Sequence, residues 1–178
     1  SDCPVTITGI KVTQGPKVIN DNDKIPENSL VDIECSILTN NIRVNSIFAY
    51  LDNDRSNSYI AGDLDFGWNG VTDSWPDGTA TVFFKSRNVG AVGLKNIGCG
   101  VYSSLTEPYD RSAQNGADAM RKIDVQGGSA FCDQFKTEPT CPAGTCKWVE
   151  KCRPADQMWS GASDRCIPSG DSVIYSCN

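Results

Sequence analysis

The chain has 178 residues, a net charge of −6, nine cysteines and no histidine, and 39% of its residues are hydrophobic, which is enough for a buried core. The lack of histidine excludes Ser-His-Asp and Cys-His catalysis and every His-ligated metal site. Because no basic run and no apolar stretch of about 18 residues is present, we expect neither nucleic-acid binding nor direct membrane insertion.

Residues 5–127 predict strands rather than helices. Apolar and polar residues alternate with a period of two, and the apolar positions are rich in β-branched side chains. The predicted strands cover residues 5–13, 30–38, 44–51, 79–85, 93–102 and 121–125. A short helix is expected at 112–120. Six or more short strands separated by Gly, Pro, Asn and Asp predict an all-β sandwich or barrel.

The alternation places Cys35 and Cys99 on the apolar faces of two separate strands. Over residues 4–127 the chain resembles an immunoglobulin-like β-sandwich, in which a cysteine of the second strand bridges one of the penultimate strand. The resemblance implies a Cys35–Cys99 disulfide between two sheets. The third strand carries Phe48 and Tyr50 where antibody domains have a Trp. This favours a relative among bacterial or archaeal surface proteins.

The C-terminal segment holds six of the nine cysteines. Their spacing lacks the paired knuckles of a zinc site and indicates a disulfide framework, which is typical of an oxidising, extracellular compartment. Six cysteines allow fifteen pairings, and the spacing does not choose among them. The segment is loosely similar to the plexin-semaphorin-integrin (PSI) type of cysteine module. We therefore expect a β-sandwich at 1–127 and a loop-dominated, disulfide-stapled module at 128–178, with these six cysteines paired among themselves: Cys132, Cys141, Cys146, Cys152, Cys166 and Cys177.

The odd cysteine count leaves Cys3 without a partner if Cys35 pairs with Cys99. Its thiol is then free, capped by a small molecule or lipid, or bonded to another chain across a symmetric contact. The chain opens with Ser1, Asp2 and Cys3. We expect this opening to belong to a processed, secreted protein or a trimmed ectodomain.

The first predicted strand is a candidate for pairing between subunits. Val5, Ile7, Ile10 and Val12 offer apolar side chains to a groove, while the backbone offers hydrogen bonds to a sheet edge. Gly9 permits a bulge that explains the break in alternation between Ile7 and Ile10. Self-association by strand exchange is the expectation. The alternative is a strand that folds back on its own domain.

An acidic, aromatic loop at 52–78 is the other candidate site. Oxygen-rich loops can bind Ca²⁺, although no EF-hand spacing follows here, and we favour a solvated loop that protects sheet edges. The two tryptophans are expected to cover the open end of the sandwich, with a protein interface and a sugar platform as alternatives. The side chains of this loop that form the candidate site are Asp52, Asp54, Asp63, Asp65, Trp68 and Trp75.

The sequence carries no catalytic set, so we expect a non-enzymatic extracellular protein without a cofactor. The first hypothesis is a structural subunit of a cell-surface filament, pilus-like and joined by strand exchange. The alternative is a secreted adhesion module that binds a glycan or a protein through the loop at 52–78. An enzyme or an enzyme inhibitor has only the disulfide-rich tail in its favour.

Overall fold

The computed structural model divides the chain into two compact units, Ser1–Val125 and Gln126–Asn178. The boundary lies two residues before the one expected from the sequence. The described residues are 5–39, 44–56, 63–70, 78–103, 106–110, 120–149 and 165–170. The helix expected at 112–120 lies outside these ranges except for Met120, which begins a strand.

The fold is all-β, and the first unit contains two antiparallel sheets. The four-stranded sheet has the order β2-β1-β4-β7, and its strands are β1 (Val5–Gln14), β2 (Lys17–Ile19), β4 (Leu30–Thr39) and β7 (Gly78–Asn88). The six-stranded sheet has the order β3-β10-β8-β5-β6, with β9 also paired to β8. Its strands are β3 (Asp23–Pro26), β5 (Val44–Asp52), β6 (Leu64–Gly70), β8 (Gly93–Ser103), β9 (Thr106–Asp110) and β10 (Met120–Gln126).

The two sheets share one apolar core, which makes the unit a sandwich. Alternate side chains of β4 are buried, as the period of two requires, and in β10 the side chains of Ile123 and Val125 follow the same pattern. Strand β8 differs, because its residues from Lys95 to Gly100 are all buried. The β4 contribution consists of Val31, Ile33, Cys35 and Ile37, of which none is more than 1% exposed. The alternating positions predicted from the sequence for this strand are therefore the positions that face the other sheet.

The outer face of β5 is buried as well. Phe48 and Tyr50 are fully buried, yet they are not part of the core between the sheets. Their rings are 5.8 Å apart. The Phe48 ring packs against Gly100 of β8 so closely that a Cβ atom at position 100 would overlap it. Glycine at this position therefore makes room for the ring.

The second unit is built around cystines and aromatic rings. It contains helix α1 (Gly128–Asp133), a 3₁₀ turn (Glu138–Thr140) and a two-stranded antiparallel sheet of β11 (Cys146–Val149) and β12 (Arg165–Pro168). Phe131 packs edge-on against Phe135 with ring centroids 5.4 Å apart. This small core matches the expectation that sulfur atoms replace apolar bulk in a short, cysteine-rich segment.

Candidate functional site

The first strand pairs within its own chain. β1 runs antiparallel to β4 from Val5 to Thr13, and on its other side only Val12–Gln14 pair with β2. The ladder shifts between Ile7, which lies opposite Ile37, and Gly9, which lies opposite Ser36. This irregularity is the bulge that the sequence predicts at Gly9.

The bulge brings the apolar side chains of β1 to the core side. Ile7, Ile10 and Val12 are 2%, 8% and 0% exposed. The side chain of Val5 lies outside the described part. The strand-exchange expectation differs from this arrangement in one respect: in the single chain, the partner of β1 is its own β4 rather than a neighbour's sheet. Exchange between subunits therefore requires the cis ladder to open.

Cys35 and Cys99 form a disulfide between the two sheets. Their Cα atoms are 6.0 Å apart and the bond closes a sequence separation of 64 residues. Both residues are fully buried. Cys35 lies opposite Ile10 in the β1–β4 ladder. The sheet that carries the candidate strand is thus covalently joined to the facing sheet at the point where that strand lies.

Arg121 of β10 contacts the backbone of β1. Its Nη2 atom donates to the carbonyl oxygen of Ile10 at 3.3 Å, and its Nη1 atom lies 3.3 Å from a carboxylate oxygen of Asp21 in the turn between β2 and β3. The same oxygen accepts the backbone N–H of Lys122 at 3.0 Å. Residues 10, 21 and 121 are far apart in the sequence and come together only in the folded chain. No local sequence signal therefore indicates these contacts of Arg121.

Three acidic side chains of the predicted loop site come together at the end of β5. The carboxylates of Asp52, Asp54 and Asp63 each place an oxygen within 4.8 Å of the others, which is close enough for one cation to touch all three. Asp52 is fully buried and accepts a hydrogen bond from the Asn96 side chain at 3.3 Å. Asp65 lies apart on β6, where it accepts the Gly67 N–H at 2.7 Å. The prediction of one continuous loop at 52–78 is wrong at this point, because residues Leu64–Gly70 pair with β5 as a strand.

The same carboxylates organise the loop backbone. The Ser56 N–H donates to Asp52 at 3.1 Å and to Asp54 at 2.9 Å, and the Asn53 N–H donates to Asp63 at 3.2 Å. The hydrogen bond from the Ser56 N–H is the main reason why the pKa of Asp54 is lowered, and a side-chain bond with Asp52 adds to it. These bonds show that the carboxylates hold the backbone of the loop in place. The solvated loop and the Ca²⁺ site both stay predictions.

A strained arginine fixes the loop to the sheet. Arg55 has a φ of 55°, which is unusual for a residue other than glycine. Its Nη2 donates to the Ile123 carbonyl at 2.9 Å and its Nε to the Lys95 carbonyl at 3.3 Å. Both hydrogen bonds fix Arg55, which directly follows Asp54 of the acidic cluster. The sequence analysis does not single out Arg55. The side chain of Trp68 and all of Trp75 lie outside the described part, so their roles stay predictions.

Lys95, whose carbonyl group accepts the bond from Arg55, carries a buried side chain near the N-terminal end of β8. Its side chain is 6% exposed, and its ammonium group donates to the Val89 carbonyl at 2.9 Å. Burial lowers the pKa of Lys95, because the charged ammonium is less well solvated there than in water. The end of this side chain lies beside Gly90 and Gly93, where the Nζ and Cε atoms come within 4 Å of the position a Cβ atom would take.

The second unit contains two disulfides among its described residues. Cys132 pairs with Cys146, and Cys141 pairs with Cys166. The sulfur atoms of Cys132, Cys146 and Cys166 lie close enough together to resemble a metal site, but all three belong to cystines and are not available as thiolate ligands. The remaining cysteines lie outside the described residues: Cys3, Cys152 and Cys177.

Comparison with known proteins adds no relative. No protein-family model matches the chain, and no characterised protein matches its sequence. Among the described residues, no helix has the length and apolar character needed to cross a membrane.

Proposed function

We propose that this protein is a non-enzymatic extracellular structural subunit of a cell-surface assembly, pilus-like and joined by exchange of β1. The observation that carries the proposal is the position of β1. It buries three apolar side chains, yet β4 is the one strand that pairs with it over most of its described length. A β1 strand from a second copy can make the same contacts with β4, which is the requirement for a low-cost swap between identical chains.

The strand order supports the proposed relationship to immunoglobulin-like sandwiches. One sheet contains the sequence of neighbours β1-β4-β7, and the other contains β10-β8-β5. In immunoglobulin-like domains the disulfide joins the equivalents of β4 and β8, as Cys35–Cys99 does here. Domains of this kind are common building blocks of cell-surface proteins.

The compartment follows from the cystines. Three disulfides among the described residues are typical of an oxidising, extracellular environment. In that environment the Cys35–Cys99 bond forms and persists. Placement at the cell surface, as opposed to free secretion, is part of the proposal and rests on the exchangeable strand.

Cysteine cross-linking between differently labelled chains tests the proposal. Lys11 and Glu34 are ladder partners on the solvent side of β1 and β4. One chain carries Lys11→Cys and the other carries Glu34→Cys. A disulfide between the two new cysteines in the mixture requires β1 of one chain to lie on β4 of the other. We expect a cross-linked product on non-reducing gels, identified by peptide mapping, and filaments or oligomers by light scattering and negative-stain imaging.

The matched control replaces Glu34→Cys by Lys85→Cys. Lys85 lies on β7 on the same solvent-facing side, but β7 does not neighbour β1. We expect no specific cross-link with Lys11→Cys. Equal yields with both partners indicate random collision, and the absence of any Lys11→Cys/Glu34→Cys product at assembly concentrations contradicts the proposed exchange.

The second candidate function is a secreted module that binds a protein or glycan through the loop at 52–78. The observation in its favour is that β1 completes its own sandwich, as a monomeric binder requires. In that case the chain is monomeric by light scattering, and glycan-array or pull-down binding is lost when Asp54, Asp63 and Trp75, which lie outside strand β6, are replaced by alanine.

A further inference from the structure

We infer that Arg121 is the latch that holds β1 in the sandwich of its own chain, so that the strand is released when the arginine contact breaks, while β4, β7 and the facing sheet stay folded. The inference rests on the proposed strand exchange and names the residue that regulates it. Here the latch means the two contacts of the guanidinium, with the Ile10 carbonyl and with Asp21.

The first step is that β1 is an edge strand over most of its length. Only Val12–Gln14 pair with β2, while residues 5–11 have strand partners on the β4 side alone among the described residues. An edge strand of this kind opens at a lower free-energy cost than a central strand, because fewer hydrogen bonds break.

The second step is that Arg121 contacts this edge strand from the other sheet. Among the residues that the structure describes, Ile10 lies in the part of β1 that has no partner strand on its β2 side, and the guanidinium donates to its carbonyl oxygen. Arg121 also contacts Asp21, whose carboxylate is fixed by the Lys122 N–H. The guanidinium is thus anchored on the six-stranded sheet and on the β2–β3 turn, and it ties β1 to both.

The third step is that the arginine is poorly matched to a purely stabilising role. Its Nε atom is buried and has no hydrogen-bond acceptor within the described structure. A buried donor without an acceptor opposes folding. The contacts of the two Nη atoms therefore hold β1 in place, while the Nε–H is left without an acceptor. This N–H would be better solvated when β1 is open.

The fourth step is that the sandwich has a separate connection that does not involve β1. The Cys35–Cys99 disulfide joins β4 to β8, and the opposite side of β4 remains paired with β7 from Leu30 to Thr39. When β1 leaves, β2 loses the strand that joins it to the sheet, but β4 and β7 stay connected to the facing sheet. The vacated side of β4 then presents backbone groups and a gap lined by core side chains. This is the surface that β1 of a second copy fits.

Hydrogen–deuterium exchange on the full chain tests the latch. We compare the wild type with Arg121→Met, which keeps an unbranched side chain but removes every donor. We expect amides of residues 5–14 to exchange about tenfold faster in the variant, as loss of a charge-assisted hydrogen bond predicts, with unchanged exchange in β4 and β8. Lys85→Met is the matched control, because it removes an exposed ion pair with Asp32 that joins β7 to β4 in the sheet that carries β1.

Two milder variants keep the test informative if Arg121→Met does not fold. Asp21→Asn removes the ion pair and leaves the Ile10 contact, so we expect a smaller acceleration confined to β1. Arg121→Lys supplies one compact charge that cannot span both acceptors, and we expect an intermediate rate. Unchanged exchange of residues 5–14 in all three variants overturns the latch, as does equal acceleration throughout both sheets.

The cross-linking assay separates the latch from the proposed function. In an Arg121→Met background, Lys11→Cys and Glu34→Cys chains are expected to cross-link faster than in the wild-type background. If β1 amides exchange faster but no cross-link forms between chains, the latch stands and the strand-exchange function is wrong. If cross-links form at the wild-type rate and β1 exchange is unchanged, the function stands and the latch is wrong.

Discussion

Ile10 lies directly opposite Cys35 in the β1–β4 ladder, and Cys35 is bonded to Cys99 of the facing sheet. The strand proposed for exchange is therefore paired at its centre with the residue that joins the two sheets. Because the covalent link runs from β4 to β8, it does not depend on β1. A sandwich closed in this way keeps its two sheets together in the state from which β1 has departed.

Removing this disulfide is expected to destabilise the first unit strongly. Closing a loop of 64 residues restricts the unfolded chain, and its loss through Cys35→Ala/Cys99→Ala costs roughly 4 kcal/mol in the chain-entropy model. The free energy of unfolding from urea titrations of the full chain measures the effect. In hydrogen exchange, we also expect the amides of β1 to become exposed together with those of β4 and β8, and no longer in a separate opening of β1.

The control for this prediction is Cys132→Ala/Cys146→Ala, which removes a disulfide of the second unit. The unfolding transition of the first unit should then stay unchanged, monitored through hydrogen exchange of β4 and β8. A Cys35→Ala/Cys99→Ala variant with wild-type stability would contradict a structural role for the bond.

Gly100→Ala tests the packing outside β5. A methyl group at this position overlaps the ring of Phe48, which is only 1% exposed and has little freedom to move. Overpacking of this kind typically costs about 1–3 kcal/mol. Gly9→Ala is the matched control, because a Cβ atom there meets no atom within 4 Å. We expect thermal unfolding to show a lowered Tm for Gly100→Ala and a nearly unchanged one for Gly9→Ala.

The alternating strands were predictable because their cause is local. A period of two with β-branched residues predicts β4 and β8, and the structure has them at Leu30–Thr39 and Gly93–Ser103. The short strands β2 and β3 were missed, since three and four residues are too few to show a period. Helix α1 was missed for a related reason: its six residues include only two buried side chains.

The candidate sites were predictable only in part. The acidic residues of the loop are visible in the sequence, but which of them converge depends on the path of the chain between Asp54 and Asp63. Arg121 was not predictable at all, because its partners Ile10 and Asp21 are 111 and 100 positions away, and charge alone does not mark it. Long-range pairing of this kind follows from the strand order.

Acid is expected to destabilise the first unit through two carboxylates. The Ser86 N–H, and then Lys85, hold the pKa of Asp32 below its usual range, and the Ser56 N–H does the same for Asp54. The pKa of each aspartate is lower in the folded state than its unfolded-state value of about 4, so the charged carboxylate stabilises the fold above that pH. This stabilisation is lost as the pH falls through the folded-state pKa. We expect Asp32→Asn/Asp54→Asn to lose stability at neutral pH and to show a flatter decline of Tm below about pH 4.

The pairing of the remaining cysteines can be predicted from the cystines already formed. With Cys132–Cys146 and Cys141–Cys166 in place, a closed six-cysteine module leaves Cys152 to pair with Cys177, and Cys3 has no partner within the chain. Cys152 and Cys177 both lie outside the described residues. Peptide mapping without reduction should yield a Cys152–Cys177 cross-linked peptide and place Cys3 either in a thiol-reactive form or in a disulfide between two chains. A Cys3 peptide joined to Cys152 or Cys177 of the same chain would show that the second unit is not a closed module. The same map, taken on assembled material, reports whether Cys3 joins neighbouring copies close to the strand that the exchange proposal requires to cross between them.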